Sequence, residues 1–149
     1  MFILKYDTVE RVHTQASQIW KNIVDNQLFI LKQVIKTLIT QVFKIIISQD
    51  FELQEMGLGC MRGLVEKFGE KLVNEALDIF ENLLDSATDL SQTVGVCRVL
   101  CNMAQAASHR LLIQISPRLL GIMDNNLASD SAEIRDYSTE VFVILFRRQ

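Results

Sequence analysis

The amino-acid sequence predicts an all-α protein built as a short stack of antiparallel helix pairs. Three observations predict it. Turn-forming residues are scarce, with six glycines and one proline in 149 residues, whereas strand-and-turn architectures need frequent punctuation. Apolar residues recur at three- and four-residue spacing along almost the whole chain, and strict alternation is nearly absent. The helical pattern itself then repeats with a period near 40 residues, and repetition at such a period signals a stacked array.

The helices are expected in this order. The first runs from about Thr8 to Asp25, with Val12, Ala16, Ile19, Trp20, Ile23 and Val24 on one face. Thr8 is its candidate N-cap, although Arg11 stands where a capping box would place Glu. The second runs from about Leu28 to Ile47, with an inner series Leu28, Leu31, Ile35, Leu38, Ile39, Val42 and Ile46. Its β-branched residues suit strands as well, and its length without a turn signal decides for helix. Ser48, Gln49 and Asp50 offer caps for a third helix from Phe51 to Phe68, which Gly69 is placed to end. A fourth runs from Glu70 to Leu84, with Leu72, Val73, Ala76, Leu77, Ile79, Phe80, Leu83 and Leu84 expected inside. After a loop at Ser86 to Asp89 come helices from Leu90 to Ala107 and from His109 to Asn125. A polar linker, Asn125 to Ser131, offers Asp130 and Ser131 as caps for a last helix from Ala132 to Arg148.

The repeat is visible residue by residue. Each first helix carries a small residue near its middle: Ala16, Gly57, Gly95 and Ser138, spaced by 41, 38 and 43. Four residues later stand Trp20, Met61, Val99 and Phe142, and eight later Val24, Val65, Met103 and Phe146. Seven later stand Ile23, Leu64, Asn102 and Leu145, with Asn102 the one misfit. Two helices per unit of about 40 residues is the range of HEAT and armadillo repeats. The expected architecture is therefore a HEAT- or armadillo-like α-α superhelix, a right-handed solenoid of about three and a half helix pairs. Its repeats are expected at about residues 8–47, 51–85 and 90–125, with a half repeat at 131–149, all in one segment. Because the chain begins in MFIL and stops in FVILFRRQ, without the polar caps of complete solenoids, it is expected to come from a longer array. Val141, Phe142, Ile144, Leu145 and Phe146 would then be left unpaired.

Composition narrows the function. At 49% apolar and 22% charged residues the chain is globular. A net charge of -3 argues against a general nucleic-acid binder. That charge is uneven: residues 1–48 carry six basic and three acidic side chains, the remainder nine and fifteen. Solvated helix faces account for such a distribution, and so does a scaffold meeting different partners along its length. Cys60, Cys97 and Cys101 are an odd set with no leader peptide, which fits free thiols in a reducing, cytoplasmic setting. The most apolar window, Leu28 to Ile47, is interrupted by Lys32, Lys36 and Lys44, so no membrane span is expected.

No residue set reads as a catalytic, metal or cofactor site, and no small-molecule substrate is implied. Nucleotide, zinc-protease and nucleophile-elbow strings are absent from the sequence. Cys97 and Cys101 lie one helical turn apart and would need His109 and a further donor to hold zinc; both fall on core positions. His13 has no neighbouring partner for general-base work. Asp78 and Glu81 are expected on an open helix face, without the burial that tunes an acid–base pair. Trp20 shares its register with Met61, Val99 and Phe142 and reads as core. Lys32, Lys36 and Lys44, with Thr40 between, recur at multiples of four and form one stripe on the second helix. Second helices usually line the concave side of such an array, so the stripe is the candidate partner contact. Ribosomal RNA or an acidic protein would fit it. In the later units the same face shows Asn74, Glu75, Asp78, Asn82 and Asp85, and then Gln114 and Arg118.

Four strings carry a resemblance to a known family. They are QASQIWKNIVDN (Gln15 to Asn26), LVEKFGEKLVNEALDIFENLL (Leu64 to Leu84), QTVGVCRVLCNM (Gln92 to Met103) and AEIRDYSTEVF (Ala132 to Phe142). Together they resemble consecutive repeats of the HEAT-repeat activators of the kinase that phosphorylates initiation factor two alpha during amino-acid starvation. The likeness runs in one register from Val9 to Phe146 and is most specific at Ala16 to Val24 and at Phe68 to Lys71. It implies a piece from the later half of a very large, ribosome-associated protein. Such proteins relay uncharged-tRNA stress to the kinase, which they contact through a separate stretch of repeats. The implied partners are thus a protein kinase and the ribosome, and the implied role is a non-catalytic scaffold in translational regulation. Prolines usual in the family's corresponding second helix are missing from Leu28 to Ile47, which marks a divergent member. The alternative is a HEAT module of another cytosolic scaffold, of the transport-receptor or phosphatase-subunit type.

Overall fold

A computed structural model describes residues 3, 9–23 and 27–148; of residues 20–23 and 27–33 it describes the helical backbone alone. Among these residues the chain forms seven α-helices and no strand. They are α1 (Glu10–Ile23), α2 (Gln27–Ile46), α3 (Phe51–Phe68), α4 (Glu70–Asp85), α5 (Leu90–Ala106), α6 (His109–Asp124) and α7 (Ala132–Arg148). Every helix expected from the periodicity is present, with its ends within two residues of the expected places.

Local chemistry sets the starts. The first amides of a helix have no partner inside it, and short polar side chains supply one. Asp50 Oδ1 accepts from the amides of Glu52 and Leu53 at 2.9 and 3.2 Å, opening α3. Asp89 accepts from the Gln92 amide at 2.8 Å and opens α5. Ser108 accepts from the Leu111 amide at 3.2 Å and opens α6. Of the two candidates before α7, Ser131 takes the role, accepting from the Ile134 amide at 3.4 Å. Thr8 lies outside the described residues; the first turn of α1 closes from the His13 amide to the Val9 carbonyl.

Gly69 both ends α3 and begins α4. Its amide donates to the Val65 carbonyl and its own carbonyl accepts from the Val73 amide. It does this with φ of 62°, a left-handed conformation that costs glycine little and other residues more. Two helices thereby turn on a single residue. Pro117 sits inside α6, where it lacks the N–H that the carbonyl four residues back would receive. That carbonyl is Ile113 O, and the Ser116 hydroxyl donates to it at 3.0 Å. The sequence places the donor beside the fault, and the helix continues.

The chain divides into two compact units, residues 1–61 and 62–149. In the first, α2 buries Ile35, Ile39, Val42, Phe43 and Ile46, and α3 adds Met56, Cys60 and Met61. Ala16 is the one described residue of the expected α1 face that is buried; Val12 and Ile19 are exposed. Trp20, Ile23, Val24, Leu28 and Leu31 were also expected inside, and their side chains lie outside the described residues. In the second unit α5 packs against α4, α6 and α7, while α6 also meets α4 and α7. Its interior is built from Leu72, Val73, Ala76, Leu77 and Phe80 of α4, Val96, Val99, Leu100 and Met103 of α5, and Leu112, Ile115 and Leu119 of α6. Each of these side chains larger than Ala76 contributes about 1.5–3 kcal/mol through removal from water. Ile79, Leu83 and Leu84 are only half-buried, since they flank the α4 stripe instead of lying on it.

All four small residues that mark the repeat are buried, including Ser138, whose hydroxyl is satisfied by donating to the Ile134 carbonyl at 2.9 Å. The expectation for the end of α7 needs correcting. Val141 and Leu145 are buried, Phe142 and Ile144 are half-buried, and Phe146 is 77% exposed. The inward stripe of α7 is Ile134, Ser138, Val141 and Leu145, and Phe146 points away from it because no described helix covers that side.

Gly57 shows how closely the helices approach. A β-carbon added there would lie 2.7 Å from Ile46 Cγ1, 3.3 Å from Ile45 Cγ2 and 3.4 Å from the Ile46 backbone nitrogen. Ile46 is itself buried and cannot step aside. Gly57→Leu is therefore expected to destabilise the fold by about 1–3 kcal/mol through overpacking, read as a lowered urea midpoint; an unchanged midpoint would show that α2 and α3 do not meet here.

Candidate functional site

The charged faces of the second helices are the candidate site, and they begin on α2. No acidic residue occurs in α2, so its lysines have no carboxylate on their own helix. Lys36, Thr40 and Lys44 are exposed at four-residue spacing, and the Thr40 hydroxyl donates to the Lys36 carbonyl at 2.9 Å. Lys44 also stands in the last turn, where the helix dipole favours a cation. The Lys32 side chain lies outside the described residues, although its backbone continues the same helix.

On α4 the acidic face is open, with Asp78 exposed and Glu81 half-buried, and it carries a contact that the sequence reading did not include. Asp78 and Glu81 share one cation, Arg118 of α6. The guanidinium donates to Glu81 Oε2 at 2.6 Å, to Asp78 Oδ1, and to the Asn74 carbonyl at 3.3 Å. Glu81 first, and Asp78 after it, hold Arg118 even more firmly in its charged form. Arg118 therefore clips α6 to α4, and the acidic stripe is partly neutralised. Beside this clip lies an open cleft of about 660 Å³ lined by Glu81, Asp85, Thr93, Arg118 and Asn126 among others.

The first helices are tied in the same manner. Arg62 of α3 donates to the Oδ1 of Asn102 on α5 at 3.1 Å, so the one misfit of the repeat register is a buried amide with a partner. Arg98 of α5 donates to the Tyr137 hydroxyl at 3.0 Å, lies 5.8 Å from that ring's centre, and pairs with Glu133 at 3.5 Å. Gln105 donates to Glu140 at 2.8 Å. Arg148 of α7 donates to the carbonyls of Ala104, Gln105 and Ala107 at the end of α5. Partners in these contacts are separated by 35 to 44 residues, about one period. Periodicity finds apolar faces and gives no sign of which polar residues will meet, so none of these pairs was legible beforehand.

The three cysteines are buried and form no disulfide. Burial pushes Cys97 up to about 11. Cys101 is pushed to about 12, by burial first and then by the neighbouring Glu140 carboxylate. The Asn126 and Gln105 amides contact the two sulfurs at 3.7 and 3.9 Å. His109 is exposed on the first turn of α6, and among the described residues no three His, Cys, Asp or Glu side chains gather as metal ligands. Nor is any described helix long and apolar enough to cross a membrane.

The fold and these faces define an all-helical protein whose charged groups join helix to helix and line open surfaces. Similarity to known proteins runs along nearly its whole length. Over 136 residues, 91% of the chain, it is 24% identical to the eIF-2-alpha kinase activator GCN1 of Saccharomyces cerevisiae. Over 146 residues, 98% of the chain, it is 24% identical to the eIF-2-alpha kinase activator GCN1 of Dictyostelium discoideum. Over 142 residues, 95% of the chain, it is 23% identical to the stalled ribosome sensor GCN1 of Homo sapiens. The chain is thus similar to proteins named as eIF-2-alpha kinase activators or as a stalled ribosome sensor, and it spans about 5% of the length of each. No family model matches it, and no solved structure matches it significantly.

The buried thiols give a prediction in pH. The folded chain keeps Cys97 and Cys101 protonated where an unfolded chain would ionise them, so stability should hold below about pH 9 and fall as pH rises toward 11. A Cys97→Ala/Cys101→Ala variant should decline less steeply in urea titrations between those values. In the native wild type, both thiols should resist Ellman's reagent at pH 8 and react once urea unfolds the chain. Immediate reaction in the native state would place them at the surface.

Proposed function

We propose that this chain is a HEAT-type segment that works as a non-catalytic, ribosome-associated scaffold in the control of the initiation factor two alpha kinase. The observation that carries this reading is similarity over 91–98% of the chain to proteins named as activators of that kinase or as a sensor of stalled ribosomes. Supporting it are seven helices with a repeat near 40 residues and polar contacts spaced by about one period. On this reading residues 8–47, 51–85, 90–125 and 131–149 are successive repeats of one right-handed α-α superhelix, working in the cytoplasm. Its partners are proteins and ribosomes, with no small-molecule substrate and no cofactor.

The face assigned to the ribosome is the lysine stripe of α2: Lys36 and Lys44, with Lys32 in the same register. Exposed lysines without a carboxylate on their own helix keep their charge available to phosphate. Each phosphate contact releases counterions and steepens the dependence of affinity on salt. Reversal of Lys32, Lys36 and Lys44 to Glu should abolish co-sedimentation with ribosomes at about 50 mM salt and leave the helical signal unchanged. Retention of full binding by that variant would remove the stripe from the interface.

A further inference from the structure

The C-terminal end of a helix carries a partial negative charge that a cation relieves. Lys44 stands in the last turn of α2, Lys67 in that of α3, and Arg147 and Arg148 in that of α7. α5 has no basic residue in its last turn, and Arg148 supplies one from outside by donating to the carbonyls of Ala104, Gln105 and Ala107. α4 and α6 differ. Neither has a basic residue in its last turn, and they end in Asp85 and Asp124, acids that oppose the helix dipole. Arg118 is committed to Asp78 and Glu81, and among the described residues no cation pairs with Asp85 or Asp124. The two ends open into the cleft of about 660 Å³ beside the clip, walled by Glu81, Asn82 and Asp85 on one helix and by Gly121 and Asn125 on the other. A glycine inside a helix costs stability relative to alanine. Close packing explains it at Gly57, whereas a β-carbon at Gly121 would meet nothing within 4 Å. Packing does not require Gly121; its effect is to leave the cleft open.

We propose that this cleft holds an extended, basic segment of a partner protein, whose arginine or lysine supplies the cation that the ends of α4 and α6 lack. The spacing suits it. Glu81 and Asp85 stand four residues apart on α4, which sets them about 6 Å apart. Alternate residues of an extended chain point to one side about 6.6 Å apart. Two basic residues at alternate positions therefore face both carboxylates at once. The clip takes Oε2 of Glu81 and leaves Oε1 for the partner. The exposed amides of Asn82 and Asn125 each donate and accept, as a peptide backbone requires. Leu84 and Ile122 offer apolar surface to the side-chain stems. Phosphate groups of nucleic acid or lipid are repelled by the same field. The inference goes beyond the ribosome reading, which concerns the α2 lysines, and draws only on residues 62–149.

The probe is the end-capped peptide Ala-Arg-Ala-Arg-Ala, titrated into the isotope-labelled whole chain at low salt and followed by amide NMR shifts. The amides of Asn82, Gly121 and Asn125 should move and saturate, and added salt should weaken the binding. Gly121→Leu fills the cleft with a better helix former, and Asp85→Lys gives α4 the cation its end lacks. Each variant should raise the urea midpoint and weaken the peptide by about tenfold or more. Loss of binding by a stabilised chain separates a blocked cleft from a misfolded one; Gly121→Gln replaces the leucine variant if that one is destabilised. The same peptide with Glu for Arg should not bind. Putrescine, which has the same two charges and no backbone, should bind more weakly than the arginine peptide. No saturable shift in the wild type at about 1 mM peptide, full binding by the Asp85→Lys chain or by the Gly121 variant, or shifts that fall elsewhere would overturn the proposal. Putrescine binding as tightly as the peptide would overturn it too, by reducing the cleft to a general cation patch.

Discussion

One constraint governs this molecule: a pair of amphipathic helices cannot cover its own apolar stripe. Either another pair covers it or the stripe faces water. The small residues Ala16, Gly57, Gly95 and Ser138 are the sequence's answer, because a missing or short side chain lets a neighbouring helix come close. At Gly57 the approach leaves no room for a β-carbon. At Ser138 the one polar atom such a residue brings is returned to its own helix through the Ile134 carbonyl. On the side of α7 that no described helix covers, Phe146 is left in solvent.

Polar contacts follow the same constraint. Arg62 with Asn102, Arg98 with Tyr137 and Glu133, and Arg118 with Asp78 and Glu81 join helices about one period apart. Half-exposed ion pairs add little to stability by themselves. Their geometry does fix how far one helix slides along the next, which an apolar stripe leaves loose. Arg148 does similar work at the end of α5, where three unpaired carbonyls find its guanidinium. Lys36 and Lys44 of α2 take no part in these contacts and are exposed.

Much of the secondary structure was legible because a helix writes its inner face into the sequence every three or four residues. The bounds of α3 and α7 followed from caps and periodicity alone. Burial was legible where stripes were surrounded, as in α4, and failed at margins such as Ile79 and Leu83. Phe146 looked like a repeat position and is a surface residue, because periodicity reports a helix's own stripe and not whether a neighbour exists. Asn102 looked like a flaw and is a buried hydrogen-bond acceptor, because its partner lies 40 residues away. The lysine stripe was legible as a pattern, since a spacing of four places Lys36 and Lys44 on one side of α2. The Arg118 clip was not, because it depends on how α6 lies against α4.

If the chain is a repeat array as proposed, each helix pair stacks on the last by the same step. An experimental structure of the chain tests it most directly. The account predicts that the rotation and translation carrying α3–α4 onto α5–α6 also carries α5 onto α7. A closed bundle, in which that operation leaves α7 displaced from its place beside α5, would contradict it.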